Sequence, residues 1–108
     1  MPHPIRLAVV VSLVLAATAC TWVPMQQGAA TVEVRALNAS TTGCTKLGEI
    51  EGNVTDRVAL YERNPLRVQE ELETMARNEA VGLNANTVVP LEAPHDGRQR
   101  FSAWRCTR

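Results

Sequence analysis

Residues 7–17 (LAVVVSLVLAA) form an apolar run broken only by Ser12, preceded by His3 and Arg6 and followed by small residues up to Cys20. A positive start, an apolar centre and a small-residue junction are the order of an export signal, which is removed and so contributes nothing to the fold. As a helix at ~1.5 Å per residue, residues 7–19 reach roughly 20 Å, well short of the ~30 Å hydrocarbon thickness that a spanning helix must cross. Extension through Val23 brings the run only to a borderline length, and an uncleaved anchor is the alternative reading. The expectation is that residues 1–19 are a signal peptide and that whatever folds does so within residues 20–108, which is one domain at most.

The junction Ala17-Thr18-Ala19-Cys20 resembles the lipobox of bacterial lipoprotein precursors, with Ala17 where Leu is usual. By that resemblance Cys20 becomes the acylated first residue. Thr21 after it, in place of Asp, implies sorting to the outer membrane. An ordinary secretory signal ending at Ala19 would leave three cysteines in an oxidising compartment, one of them unpaired.

Without Arg6 the chain carries ten basic and eleven acidic residues, and its aromatics are Trp22, Tyr61, Phe101 and Trp104. Nucleic-acid binding by so small a domain calls for a strong basic excess and stacking residues, so no nucleic-acid partner is expected.

Residues 20–30 hold Cys20 and then a run of Pro24, Gly28, glutamines and small residues without period, which reads as a short tether. Residues 31–108 are the expected globular domain. Strict alternation in 31–37 (TVEVRAL) predicts a first strand. Residues 46–54 (KLGEIEGNV) predict a second, with Gly48, Ile50, Gly52 and Val54 inward and room at the glycines for a packed helix. Asn64-Pro65 is a helix start, Asn as cap and Pro at the first position. Val68, Leu72, Met75, Ala76, Ala80 and Leu83 then recur at helical spacing to about Gly82. Arg67, Glu70, Glu71, Glu73, Thr74, Arg77 and Asn78 are expected in solvent, with Glu73 and Arg77 as an i,i+4 pair. Residues 87–91 (TVVPL) predict a third strand, which Pro90 pushes towards an edge or a bulge. Pro94-His95-Asp96-Gly97 reads as a turn before the last strand at 100–106 (RFSAWRC). The order ββαββ predicts a two-layer α+β domain, one helix on a small, mainly antiparallel sheet.

Cys44 and Cys106 are expected to form a structural disulfide closing a loop of roughly 60 residues; two buried reduced thiols are the alternative, suited to a cytosolic chain. No cofactor is implied. His95 is the one histidine after residue 19 and sits in the predicted turn, so a Ser-His-Asp site would need Ser40 or Ser102 brought to it. With two cysteines bridged and one acylated, a metal site lacks ligands. Glu70, Glu71 and Glu73 are spread around the helix by its turn of about 100° per residue. Arg98, Arg100, Arg105 and Arg108 crowd the last eleven positions. Alternation puts Arg100 and Arg105 on opposite sides of the strand, and charge keeps an edge strand from aggregating; the functional reading is a margin that meets anionic lipid or an acidic envelope protein.

Cys20-Thr21-Trp22, Cys44-x-x-Leu47-Gly48, Val68-Gln69-Glu70-Glu71-Leu72 with Ala76-Arg77-Asn78, Asn86-Thr87-Val88-Val89-Pro90-Leu91 and Trp104-Arg105-Cys106 together resemble a family of small Gram-negative outer-membrane lipoproteins of unknown function. More distantly they are similar to the sensor lipoprotein of the Rcs envelope-stress phosphorelay. That sensor has a long proline-rich tether and a second disulfide, neither of which this chain has, so a mechanism using a long exposed tether does not carry over. With the resemblance giving the address and the residues offering no catalytic, metal or phosphate site, the expected role is a lipid-anchored, periplasm-facing binding or stress-sensing module, not an enzyme. The alternative is an accessory lipoprotein that supports an envelope assembly without recognising a signal.

Overall fold

A computed structural model describes residues 23–58 and 61–107. A 3₁₀ turn, Ala29–Thr31, leads into strand β1 (Glu33–Val34). Then follow β2 (Cys44–Asn53), β3 (Arg57–Val58), β4 (Tyr61–Glu62), helix α1 (Pro65–Gly82), β5 (Thr87–Pro90) and β6 (Arg98–Cys106). One sheet runs β1-β5-β6-β2, and β3 with β4 makes a separate two-stranded hairpin. The helix packs on one face of a four-stranded sheet, an α+β fold. The sheet is mixed, because β1 lies parallel to β5 while the other two pairings are antiparallel. Chain order departs from ββαββ by the inserted hairpin.

The helix ends are built from local sequence. Asn64 Oδ1 accepts from the Leu66 N–H (3.0 Å) ahead of Pro65. At the other end Asn84, at φ 61°, takes the left-handed position; its N–H donates to Val81 O and the Ala85 N–H to Ala80 O. That pair of bonds is the Schellman closure. It turns the buried Ala85 back into the core beside Val32, Ile50, Ala76, Ala80, Val88, Phe101 and Ala103. Gly52 explains how the helix comes close: a Cβ there would meet Leu72 Cδ2 at 3.1 Å, and one at Gly48 would meet Leu83 Cδ1 at 3.5 Å. Gly97, at φ 71° after Asp96 at φ 49°, completes a two-residue turn between His95 and Arg98. Both turn residues have positive φ, the geometry that favours Asp-Gly.

Two strand expectations need correcting. Residues 87–91 are not at an edge: β5 lies between β1 and β6 and all four of its residues are buried. Pro90 is tolerated because it is the last residue of the strand, where only its carbonyl is used, accepting from the Asn38 N–H (3.0 Å). The first strand is also shorter than 31–37, although Glu33, Arg35 and Asn38 N–H groups continue the bonding to Asn86, Val88 and Pro90 carbonyls.

Because β1 and β2 occupy opposite edges, residues 35–43 must carry the chain from one edge to the other. Within this link Arg35 Nη1 donates to Ser40 O (2.9 Å) and approaches Cys44 Sγ (3.8 Å). On the sheet face away from the helix Thr87, Val89 and Ser102 are buried. Ser102 Oγ accepts from Trp104 Nε1 (2.7 Å) and lies 3.4 Å from Val89 O.

Candidate functional site

Residues 24–30, linker-like in composition, are docked on the helix. Asn78 holds them with both ends of its amide: Nδ2 donates to Pro24 O (2.9 Å) and Oδ1 accepts from the Gln26 N–H (2.8 Å). The Gly28 backbone passes Val81, Ala29 is fully buried, and Val32 enters the core. The segment is therefore a strap across the last turns of α1, and the folded unit starts before residue 31.

The strap, the end of α1 and the Cys44–Cys106 end of the sheet enclose an open cleft of about 730 Å³, bordered by Gly28, Val81, Asn84, Thr45, Arg105 and Cys106. Cys44 and Cys106 are direct register partners joined by a disulfide, with Cα atoms 4.1 Å apart. Asn86 fixes the same end independently of the bridge: Nδ2 donates to Cys106 O (2.7 Å) and Oδ1 accepts from the Cys106 N–H (2.8 Å). Its amide continues the ladder where β5 has not yet begun. Arg105 lies on the helix side of the sheet, and its Nη1 reaches Asn84 O at 3.5 Å.

The two other described arginines of the four are not beside it. Arg98 and Arg100 lie at the far end of β6, opposite Asn53 and Glu51. Arg100 Nε is 3.1 Å from Glu92 Oε1, which also accepts from the Arg100 N–H. The hydrogen bond from Arg100 holds the Glu92 carboxyl below its ordinary range, and the same bond raises Arg100, with Glu49 and Glu51 adding to the attraction. A locally neutralised guanidinium is a weak recognition element for an anion. Arg108 and Cys20 lie outside the described residues.

A second, smaller cleft of about 280 Å³ lies near the opposite end of the helix, between the β3–β4 hairpin and the His95-Asp96-Gly97 turn. His95 is exposed there, its Nε2 3.1 Å from Asp96 Oδ2. The two candidate serines are engaged elsewhere, Ser102 with Trp104 and Ser40 with Thr42. Among the described residues no group of three or more His, Cys, Asp or Glu is arranged to hold a metal ion. No helix among them is long and apolar enough to cross a membrane.

Glu71 differs from the expectation of a solvated face. It is buried and accepts a bidentate pair from Arg63, Nη2 to Oε1 at 2.6 Å and Nη1 to Oε2 at 2.9 Å. Arg63 Nη1 also donates to Thr55 O (2.6 Å), and its N–H to Asp56 O (2.7 Å). The hydrogen bonding to Glu71 keeps Arg63 above its ordinary pKa. The hairpin thus brings a cation over a helix side that would otherwise be wet. Glu73 does not take Arg77 as its partner; it accepts from Gln69 Nε2 (3.2 Å). Asn78 was the residue with an available signal, since Asn is a poor interior helix residue unless its amide has a task.

A family model described as a domain of unknown function (DUF4156) matches residues 23–106. Searches of curated proteins and of solved structures returned no match.

Proposed function

This chain belongs to the DUF4156 family, domains of unknown function, and for this member we propose a lipid-anchored role in the bacterial envelope. In this reading the precursor is exported, cleaved before Cys20 and acylated on that cysteine. The folded domain then works at the periplasmic side of the outer membrane as a binding or stress-sensing module without enzymatic chemistry. The observation that carries it is the Cys44–Cys106 bridge. A bridge between strands belongs to an oxidising compartment, and it leaves Cys20 as the one cysteine of three outside the pair. Acylation gives that leftover thiol a use, at the residue that follows the small-residue junction after the apolar run. Several acyl chains, at ~0.8 kcal/mol per buried CH₂, supply the stable anchoring that a single chain does not.

Mass spectrometry of the mature N-terminus tests the anchor. A diacylglyceryl or triacyl mass on Cys20 is expected; an unmodified Cys20, or retention of residues 1–19, overturns it. Crosslinking and capture from resting and envelope-stressed cells tests the module. A sensing module changes its partner with stress, whereas an accessory lipoprotein keeps the same partner in both states.

A further inference from the structure

We propose that the strap end of the domain is the surface laid on the bilayer: Met25 and Val81 enter the headgroup boundary, and Arg105, bordering the same cleft, meets lipid phosphates. The inference rests on the acylation of Cys20 proposed above and adds an orientation to it. Reach decides the matter. From Cys20 to Pro24 there are four residue steps, about 14 Å when fully extended. Pro24 and Gln26 are both tied to Asn78, so the chain leaves the fold at a fixed place near the end of α1. Leu66, the exposed apolar residue at the other end of the helix, is twelve residues before Asn78, about 18 Å along the axis at 1.5 Å per residue. The tether is shorter than that separation, so the domain cannot stand on its Leu66 end, and the strap end is the part kept near the bilayer.

The chemistry of the near end agrees. Met25 lies between the two residues bonded to Asn78, and Val81 is three residues on; both are exposed, at 43% and 40%. Val81 and Arg105 border one cleft, which puts an apolar contact and a cation at the same end of the domain. The acidic residue of the last turns, Glu79, is two positions from Val81 and so points about 160° away around the helix. Apolar side chains flanked by a cation are the composition of an interfacial contact.

The test uses the acylated full-length protein purified from membranes and reconstituted in phosphatidylcholine/phosphatidylglycerol vesicles with brominated acyl chains. Trp22 and Trp104 are replaced by Phe, and a single indole is introduced by Val81→Trp, Met25→Trp or Leu66→Trp, with folding checked by circular dichroism. Mass spectrometry of the same sample reports the state of Cys20. With Cys20 acylated, brominated lipid is expected to quench Val81→Trp and Met25→Trp at least twofold and to leave Leu66→Trp unchanged. Adding Arg105→Gln should remove any gain in quenching that phosphatidylglycerol gives over pure phosphatidylcholine. Equal or greater quenching of Leu66→Trp, or none at positions 25 and 81, overturns the orientation while the anchor stands. An unacylated Cys20 overturns the anchor itself, and the orientation with it.

Discussion

Replacing both Cys44 and Cys106 by Ser should cost the domain about 4 kcal/mol, nearly all of it through the unfolded chain. The bridge closes a loop of 62 residues, and the chain-entropy relation for a loop of that size gives roughly 14 cal/mol/K, or about 4 kcal/mol at 25 °C. The folded state has other means of holding the same end. Cys106 is clamped through its backbone by Asn86 and sits in the β2–β6 ladder, so the double variant keeps its native contacts there. A folded unit of about 80 residues unfolds with an entropy near 170 cal/mol/K, which turns the loss into a fall in Tm of roughly 20–25 °C. Differential scanning calorimetry of the oxidised parent and the double Ser variant measures it. Reducing the parent should bring it onto the variant. A fall below about 5 °C would refute the loop-closure account and mean that the unfolded chain already keeps the two strands together.

Gly52→Val should destabilise by about 1–3 kcal/mol in urea titration, because the added carbons meet Leu72 on a packed helix, whereas Gly48→Ala has ordinary contact distance and should be close to neutral. Arg63→Ala should lower Tm more than Glu71→Ala: the first strands a carboxylate whose side chain is 11% exposed, the second leaves a guanidinium, 26% exposed, free to turn outward. Glu92 has a depressed pKa in the fold, so its contribution is present above the ordinary carboxylate range and is lost as pH falls through its lower folded value. Glu92→Gln should therefore lower stability slightly at neutral pH and flatten the acid limb of the stability curve, parent and variant converging at low pH; an unaltered acid limb would show that the Arg100 pairing is screened away. Asn78→Ala should raise amide exchange at Gln26 by an order of magnitude or more, since about 1 kcal/mol is lost with each of its two hydrogen bonds.

The parts of the fold that are readable in the chain are those set by near neighbours. Asn64-Pro65 starts the helix, the 3.6-residue pattern from Val68 to Ala80 gives its buried face, and Pro94-His95-Asp96-Gly97 gives the turn, because each depends on a few consecutive residues. Gly48 and Gly52 announce a close approach, and Leu83 and Leu72 supply it. What local pattern misreads is neighbour order across the sheet. Pro90 argues for an edge only if its missing N–H lies mid-ladder, and here it closes the strand. The short, parallel β1 takes the edge instead, through a crossover that no periodicity records.

The candidate site was less readable for a related reason. Alternation already separates Arg100 from Arg105 by side of the strand; what it does not show is that the strand's length puts Arg98 and Arg105 at opposite ends of the sheet and that Glu92 and Glu51 surround Arg100. Arg105 is the one described arginine of the four that reaches the cleft. Composition likewise made residues 24–30 a linker, because small and polar residues without period bury little by themselves. Their order comes from Asn78, 52 residues away from Gln26, whose single amide satisfies a donor and an acceptor of the strap at once. Such a pairing leaves no mark on the local pattern of either segment, although it changes the meaning of both. A helix face read as solvated becomes a docking strip, and residues 24–30, read as tether, become part of the fold, which leaves at most about 14 Å of chain between Cys20 and Pro24. If Cys20 is acylated as proposed above, that reach keeps the docked strap, and with it the end of α1, close to the bilayer.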